Sequence, residues 1–330
     1  MKLRRIASGG RLRIELEAPQ GWVSITDAVA ASGLANGSRQ ALLIERAHDD
    51  TITLLALPLE LRARIEEAAR NIAPSANADT AAACGLPFTP RSFRDFMLYE
   101  AHAIDAARGF VRGFMPAAAR IASVYEAVTR RTFPPLRPSA LWYRQPIYYM
   151  GNHLTIATDG DDIAIPRYTN ALDYELELGF VLAHPLRDAT PETAEAAIGG
   201  FVVLNDFSAR DVQLAEMRSG FGPQKAKHFA SAISAVVVSA DEILPRWREL
   251  RASVSINGRP VTECATRDAR WSLGEALAHA SAGEQLHPGE LFGTGTLPGG
   301  SGIEAGQLLT RGDTVTLTID GIGTLSNQIT

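Results

Sequence analysis

Apolar positions along the chain fall in short runs punctuated by glycine and proline, with strict alternation in several of them, which predicts a strand-rich protein. In the first 75 residues, runs at 3–6, 12–16 and 22–25 predict three strands separated by Gly9-Gly10 and Gly21. A helix is expected from near Asp27. A second, amphipathic helix over about residues 59–72 stops before Pro74. Residues 1–75 therefore predict a small N-terminal β-rich domain. Residues 76–87, small and polar with alanine as the main apolar contribution, predict a linker to a large domain over 88–330.

After the linker, Pro90 and Ser92 suit a helix entry, so Asp95 and His102, seven residues apart, are expected two turns apart on one helix face. Alanine-rich helical pattern continues to about residue 130 and breaks at Pro134-Pro135 and Pro138. From Trp142 the pattern turns to strands, at 148–150, 154–156, 163–165 and 171–182. A helix at 191–198 and a buried strand at 201–204 follow, then an apolar strand at 233–238. Asn257-Gly258 between alternating runs predicts a tight hairpin, since both residues accept positive φ. A helix at 271–282, a glycine-rich loop over 287–304 and an alternating strand at 313–320 complete the prediction.

Inside the run 171–182, Glu175 and Glu177 share one face of the predicted strand while Leu176 and Leu178 share the other. Like charges so close repel, more strongly when buried. Such a pair faces water, holds a proton or binds a cation, and these residues alone leave a solvated strand face as the simplest choice. The polar cluster 205–213 (Asn-Asp-Phe-Ser-Ala-Arg-Asp-Val-Gln) sits at the end of an apolar strand, where binding residues gather and where strands also simply meet solvent. Taken singly, Asp95 reads as a first-turn acid, His102 as a surface histidine and Lys225 and Lys227 as solvated lysines.

Composition narrows the class of partner. A 46% hydrophobic and 21% charged chain with net charge −5 is globular, and it is neither a general nucleic-acid binder nor a membrane-surface binder, which leaves a small molecule. No apolar run approaches the roughly 18 to 20 residues of a membrane span, and no apolar stretch follows the basic residues at the start, so a cytoplasmic location is expected. Cys84 and Cys264 lack metal-ligand spacing and read as buried thiols. The 287–304 loop holds neither a GxGxxG nor a Walker lysine, and no serine sits in a nucleophile elbow. What chemistry remains belongs to acids, a histidine and a metal.

Glu175-Leu-Glu177, the 205–213 segment, Ala226-Lys227-x-Phe229 and the 288–296 segment (Pro-Gly-Glu-Leu-Phe-Gly-Thr-Gly-Thr) together resemble, in order and spacing, the fumarylacetoacetate hydrolase family over about residues 88–325. The resemblance implies a mixed α/β, β-dominated fold: a β-sandwich roll that dimerises, preceded by a small SH3-like β domain. It implies that Asp95, Glu175, Glu177 and Asp206 hold Mg²⁺ or Ca²⁺, with Mn²⁺ admitted; four acids without a soft ligand argue against zinc. Lys227 and Ser231 match positions surrounding that ion. His102 matches the general base and Glu304 the acid that orients it, while Arg210, Gln213 and Lys227 match donors to a developing oxyanion. Tyr149 and Thr296 match substrate contacts. Met217 stands about where fumarylacetoacetases carry a substrate-binding tyrosine, and Met150-Gly151-Asn152 replaces a histidine, a glycine and an arginine, implying a less polar pocket. The implied reaction is hydrolysis of a carbon–carbon bond in a 1,3-diketone or acylpyruvate, with water activated by His102 and an enolate leaving group held by the metal. Decarboxylation, hydration or isomerisation of a 2-oxo acid is the alternative, and a non-catalytic ligand-binding protein is a third.

Overall fold

The structure, a computed structural model, describes residues 1–8, 11–34, 50–75 and 84–330. Three strands open the chain, β1 (Lys2–Ser8), β2 (Arg11–Ala18) and β3 (Gly21–Ser24), followed by helices α1 (Ile25–Ala31), α2 (Thr51–Leu55) and α3 (Leu59–Ala69). Next come β4 (Phe93–Phe96), the long helix α4 (Glu100–Phe114) and α5 (Pro116–Thr129), which starts anew at Pro116. The strands β5 (Tyr148–Gly151), β6 (Ile156–Thr158), β7 (Asp162–Ile163) and β8 (Leu172–Asp173) lead to the two central strands, β9 (Glu175–Leu182) and β10 (Ile198–Asn205), with α6 (Pro191–Ala196) between them. Beyond β10 lie β11 (Ser208–Ala209), α7 (Arg210–Arg218), α8 (Gln224–Lys227), β12 (Ser231–Ile233), β13 (Val236–Ser239) and α9 (Ala240–Ile243). The chain finishes through β14 (Arg251–Ile256), β15 (Arg259–Ala265), α10 (Leu273–Ser281), β16 (Leu291–Ser301), α11 (Gly302–Ala305), β17 (Thr314–Ile319) and β18 (Gly323–Ile329).

Eleven of these strands form one mixed sheet with the path β3-β2-β1-β13-β10-β9-β16-β4-β5, to which β12 and β6 attach beside β10. A five-stranded sheet, β15-β14-β17-β18-β7, packs against it. Leu176, Leu178, Phe180 and Val203 of the first sheet and Val254, Val315, Leu317 and Leu325 of the second belong to one buried cluster, so the two sheets enclose a common core. The opposite face of the large sheet carries Val181, Val202, Leu204 and Val237, which pack with Leu3, Leu16, Val29, Leu54 and Ile65 from the N-terminal segment. Alternation along β9 thus sends its leucines into the sandwich and its odd-numbered residues, Glu175 and Glu177 among them, to the other side. All eight residues of β9 are buried. The solvated face open to Glu175 and Glu177 on their own residues is therefore replaced by an interior one.

Three expectations change. The N-terminal strands form as predicted, but they are not set apart: β1 pairs antiparallel with β13, Lys2 opposite Val238 and Arg4 opposite Val236, and the shared apolar cluster ties the unit to the large sheet. Among the described residues they form an antiparallel meander continuous with the large sheet. Most of the predicted linker, residues 76–83, lies outside the described residues. Second, Asp95 and His102 do not share a helix. Phe93–Phe96 runs parallel to β16, Asp95 opposite Gly293, and the helix begins only at Glu100. Third, the glycine-rich 287–304 loop is mostly strand β16, whose place between β9 and β4 supplies the hydrogen bonds that its glycines do not advertise. The Asn257-Gly258 hairpin is as expected, with φ of 53° and 73°. No described helix is long and apolar enough to cross a membrane.

Candidate metal and catalytic centre

Three neighbouring strands and one strand end converge on a group of acids. Asp95 comes from β4, Glu177 from β9 and Asp206 from the residue after β10; an oxygen from each lies within 4.8 Å of the other two. Exposure of the three is 6%, 0% and 0%. The strand between β4 and β9 is β16, and at its Gly293 a Cβ would press into Asp95 Oδ1 and Glu177 Oε2. The carboxylates meet because that side chain is missing. Burial, followed by the charge of Asp206, pushes the Asp95 carboxyl well above its ordinary range; burial and then Asp95 do the same to Glu177. Asp95 Oδ1 has no hydrogen-bond partner. A buried, oxygen-only cluster with an orphaned acceptor and mutually repelling carboxylates fits a hard divalent cation such as Mg²⁺ or Ca²⁺, which would replace the protons that the group otherwise needs. Glu177 is held by the Gly295 N–H (3.1 Å) and the Thr296 hydroxyl (3.4 Å), so Thr296, expected at the substrate, orients an acid of the cluster.

Positive charge flanks the cluster on one side. The Lys227 ammonium joins Glu175 to Asp206, reaching Asp206 Oδ2 at 2.6 Å. Tyr149 donates its hydroxyl to the same Oδ2 at 2.6 Å, and Ser231 donates to Oδ1 at 3.0 Å. Glu175 gives its other oxygen to Arg210, at 2.6 Å. Burial alone would raise Glu175, but Arg210, Lys227 and, more weakly, His102 outweigh it and hold the carboxyl well below its usual range. Both oxygens of Glu175 thus face cations, as the two oxygens of Asp206 face Lys227, Tyr149 and Ser231; the group whose oxygens lie within 4.8 Å of one another is Asp95, Glu177 and Asp206. Lys227, expected among the oxyanion donors, likewise anchors two carboxylates. Asn205 secures this end of the sheet by accepting the Glu175 N–H at 2.9 Å.

Arg210 opens α7 and spends its three nitrogens on three partners: Glu175, the Gln213 side-chain oxygen at 2.9 Å and Asp173 at 2.7 Å. By accepting from Arg210, the Gln213 amide turns its own NH₂ into an available donor. Met217 sits one turn beyond Gln213 on the same helix and is 51% exposed. Asp173 was not among the predicted site residues. It is fully buried, and burial raises its carboxyl while Arg210 opposes the shift. A sequence signal did exist, because Asp173 extends the alternation of Glu175 and Glu177 by one more step of two.

His102, in the first turn of α4, meets Glu304 of α11 with Nδ1 2.9 Å from Oε2. Glu304 also accepts from the Ser301 hydroxyl (2.7 Å) and the Gly299 N–H (3.1 Å). Burial pushes against ionisation here too, yet the charge and hydrogen bond of His102, together with those two donors, hold Glu304 below the ordinary carboxylate value. With Nδ1 facing a carboxylate, the Nδ1–H tautomer is favoured and Nε2 is left with its lone pair. A cavity of about 620 Å³ between α4, α5 and β15 reaches Glu304, lined in part by Asp105, Arg108, Ser123 and Thr262.

Known proteins share this architecture and part of this sequence. The family model described as fumarylacetoacetate (FAA) hydrolase C-terminal matches residues 121–330. The oxaloacetate tautomerase YisK of Bacillus subtilis (strain 168) is 31% identical over 186 residues, 56% of this chain and 61% of that protein. The chain spans about 60% of the length of the curated relatives it matches. Among solved structures, the fumarylacetoacetate hydrolase of psychrophilic Exiguobacterium antarcticum superposes with a TM-score of 0.68 at 22% identity, covering 100% of this chain and 99% of that one. The fumarylpyruvate hydrolase of Pseudomonas aeruginosa, solved in complex with Mn²⁺ and pyruvate, gives 0.56 at 21% identity, covering 78% and 98%. With the family model spanning well over half of its length, the chain belongs to the fumarylacetoacetate hydrolase family.

Proposed function

We propose that the protein is a divalent-metal-dependent hydrolase that cleaves a carbon–carbon bond of a 1,3-diketone or acylpyruvate-type substrate. The observation that carries this reading is the buried His102–Glu304 pair, a base with its orienting acid, Nδ1 2.9 Å from Oε2. A cation held by Asp95, Glu177 and Asp206, Mg²⁺ or Ca²⁺ by the hardness of those oxygens, supplies Lewis acidity toward paired substrate oxygens when bound. His102 removes a proton from water at Nε2, and Glu304 stabilises the imidazolium through Nδ1. Hydroxide adds to one carbonyl carbon. Arg210 and the Gln213 amide supply donors to the oxygen on which charge develops. As the carbon–carbon bond breaks, its electron pair goes to the departing enolate, and His102 returns the proton to that carbon. Met217, exposed one turn beyond Gln213, places apolar surface on the helix that carries Gln213, which suits a substrate with an apolar acyl group.

A second reading, tautomerisation of a 2-oxo acid, is favoured by the 31% identical oxaloacetate tautomerase. In that reaction His102 moves a proton between carbon and oxygen, and water is not consumed. The two are separated by incubating metal-loaded protein with a panel of acylpyruvates, 1,3-diketones and oxaloacetate in H₂¹⁸O. Hydrolysis puts one ¹⁸O into a new carboxylate and yields two products, whereas tautomerisation changes the enol absorbance and leaves the mass of the carbon skeleton intact. Turnover undiminished in Glu177→Gln, or after complete metal removal, would exclude both.

A further inference from the structure

We propose that Asp173 is a positioning residue that fixes the oxyanion-side Arg210 and the base-orienting Glu304 to one rigid frame. The inference rests on the reading of His102 and Glu304 as the base pair. Asp173 Oδ2 accepts from Arg210 Nε at 2.7 Å and from the Ile303 N–H at 3.0 Å; Oδ1 accepts from the Gly302 N–H at 2.8 Å and the Tyr174 N–H at 2.9 Å. Gly302 and Ile303 are the first two residues of α11, and the next residue is Glu304. One carboxylate thus holds the helix that presents Glu304 and, with its other contact, the arginine whose remaining nitrogens hold Glu175 and Gln213.

The chemistry of the position requires a carboxylate. All four partners are N–H donors, and an ionised aspartate is the one side chain of this size that offers only acceptors. An asparagine would turn an NH₂ toward at least one of those donors and leave a buried group unpaired. Gly302 completes the fit, because a Cβ there would run into the Gln307 carbonyl oxygen and into Asp173 Oδ1. The contacts form an unbroken series, Glu175–Arg210–Asp173–α11–Glu304–His102, from the acid beside the cation cluster to the base. A residue serving stability alone has no reason to join these two ends; Arg210 is already paired with Glu175.

The test is Asp173→Asn, alone and combined with Glu304→Gln, in the full-length metal-loaded protein. A displacement of the base by even 1 Å costs about 10²-fold. We expect kcat to fall by about that factor, with KM and calorimetric Mg²⁺ affinity within about threefold of wild type. The double variant is expected to lose less than the product of the two single losses, since both changes disable the Glu304 end while Asp173→Asn alone also frees Arg210. Losses that multiply in the double variant, or that follow Mg²⁺ affinity alone, would overturn the proposal. Gly302→Ala, whose methyl group would press on both the Gln307 carbonyl oxygen and the Asp173 carboxylate, provides a second route should Asp173→Asn fail to fold; it is expected to lower kcat with the same pattern, and wild-type kcat in a folded Gly302→Ala protein would refute the frame. If wild type turns over no substrate of the panel, the functional reading fails by itself. The positioning is then decided by the downfield ¹H signal of the His102 Nδ1–H, which should exchange faster in either variant and which, if unchanged, rejects the inference.

Discussion

Gly109 lies directly beneath the carbonyl group of Ile303, so close that a Cβ at residue 109 would collide with the carbonyl oxygen and carbon. The contact sets the distance between α4, which carries His102, and α11, which carries Glu304. In a helix interior free of neighbours, glycine to alanine stabilises by about 1 kcal/mol. Here the clash should prevail, because overpacking a buried contact costs about 1–3 kcal/mol and neither partner atom can rotate away. Gly109→Ala is therefore expected to lower the melting temperature and to reduce kcat by about 10²-fold as the pair is pried apart. Thermal unfolding and steady-state kinetics on the same preparation check both; a stabilised variant with full activity would refute the account.

At the acid cluster the corresponding residue is Gly293. A methyl group there would displace Asp95 Oδ1 and Glu177 Oε2, and it would also crowd Leu204. Gly293→Ala should weaken divalent-cation affinity by more than about 100-fold, beyond the usual effect of disturbing an outer ligand contact. Calorimetric titration with Mg²⁺, Ca²⁺ and Mn²⁺ measures it, with circular dichroism as the check on folding.

Cation binding should also release protons. Asp95 and Glu177 have carboxyl groups raised well above their ordinary values by burial and by neighbouring carboxylates, so they hold protons that an ion must displace. Affinity is expected to fall as pH is lowered. For the metal-free protein the sign is opposite: a raised acid makes the native state bind more protons than the unfolded one, so stability is lost as pH rises through the folded values. The difference in melting temperature between metal-loaded and chelator-treated protein should accordingly widen as pH rises above the ordinary carboxylate range. A constant difference would show that these acids do not exchange protons for metal.

Ser231 supports the cluster at one remove, through its 3.0 Å hydrogen bond to Asp206 Oδ1. Ser231→Ala should cost about 10–100-fold in cation affinity, whereas Ser231→Thr, which keeps the hydroxyl, should retain most of it. Equal affinities in all three proteins would remove Ser231 from the site.

Much of this was legible wherever information is local. The period of two along β9 placed Glu175 and Glu177 on one face before any coordinates, and Asn257-Gly258 marked its hairpin through the φ angles these residues accept. Pairing between distant segments was not legible. Residues 93–96 carry helix-entry cues in Pro90 and Ser92, yet β16 captures them as a strand from about two hundred residues away. The glycines of β16 lack the side-chain alternation that betrays a strand; Gly293 makes room for the carboxylates of Asp95 and Glu177, and Gly295 for the backbone at Phe96 and Met97. Likewise, four acids of one sign could be assigned together from sequence, but which of them is claimed by Arg210 and Lys227 depends on where two cations come to rest. Asp173 was overlooked although it continued the same alternation, because its partners are the N–H groups of a helix more than a hundred residues downstream.

The parallel pairing of β4 with β16 has a consequence for how the protein comes into being. Phe93 and Leu291 pair across nearly two hundred residues, and the loop between them must close before their contacts give any return. Until that closure Asp95 is far from Glu177, and the cation cluster does not exist. A chain still emerging from the ribosome therefore offers an ion no preformed pocket while residues near 291 are unmade, and any capture of metal by these acids would be coupled to the slow, non-local end of folding.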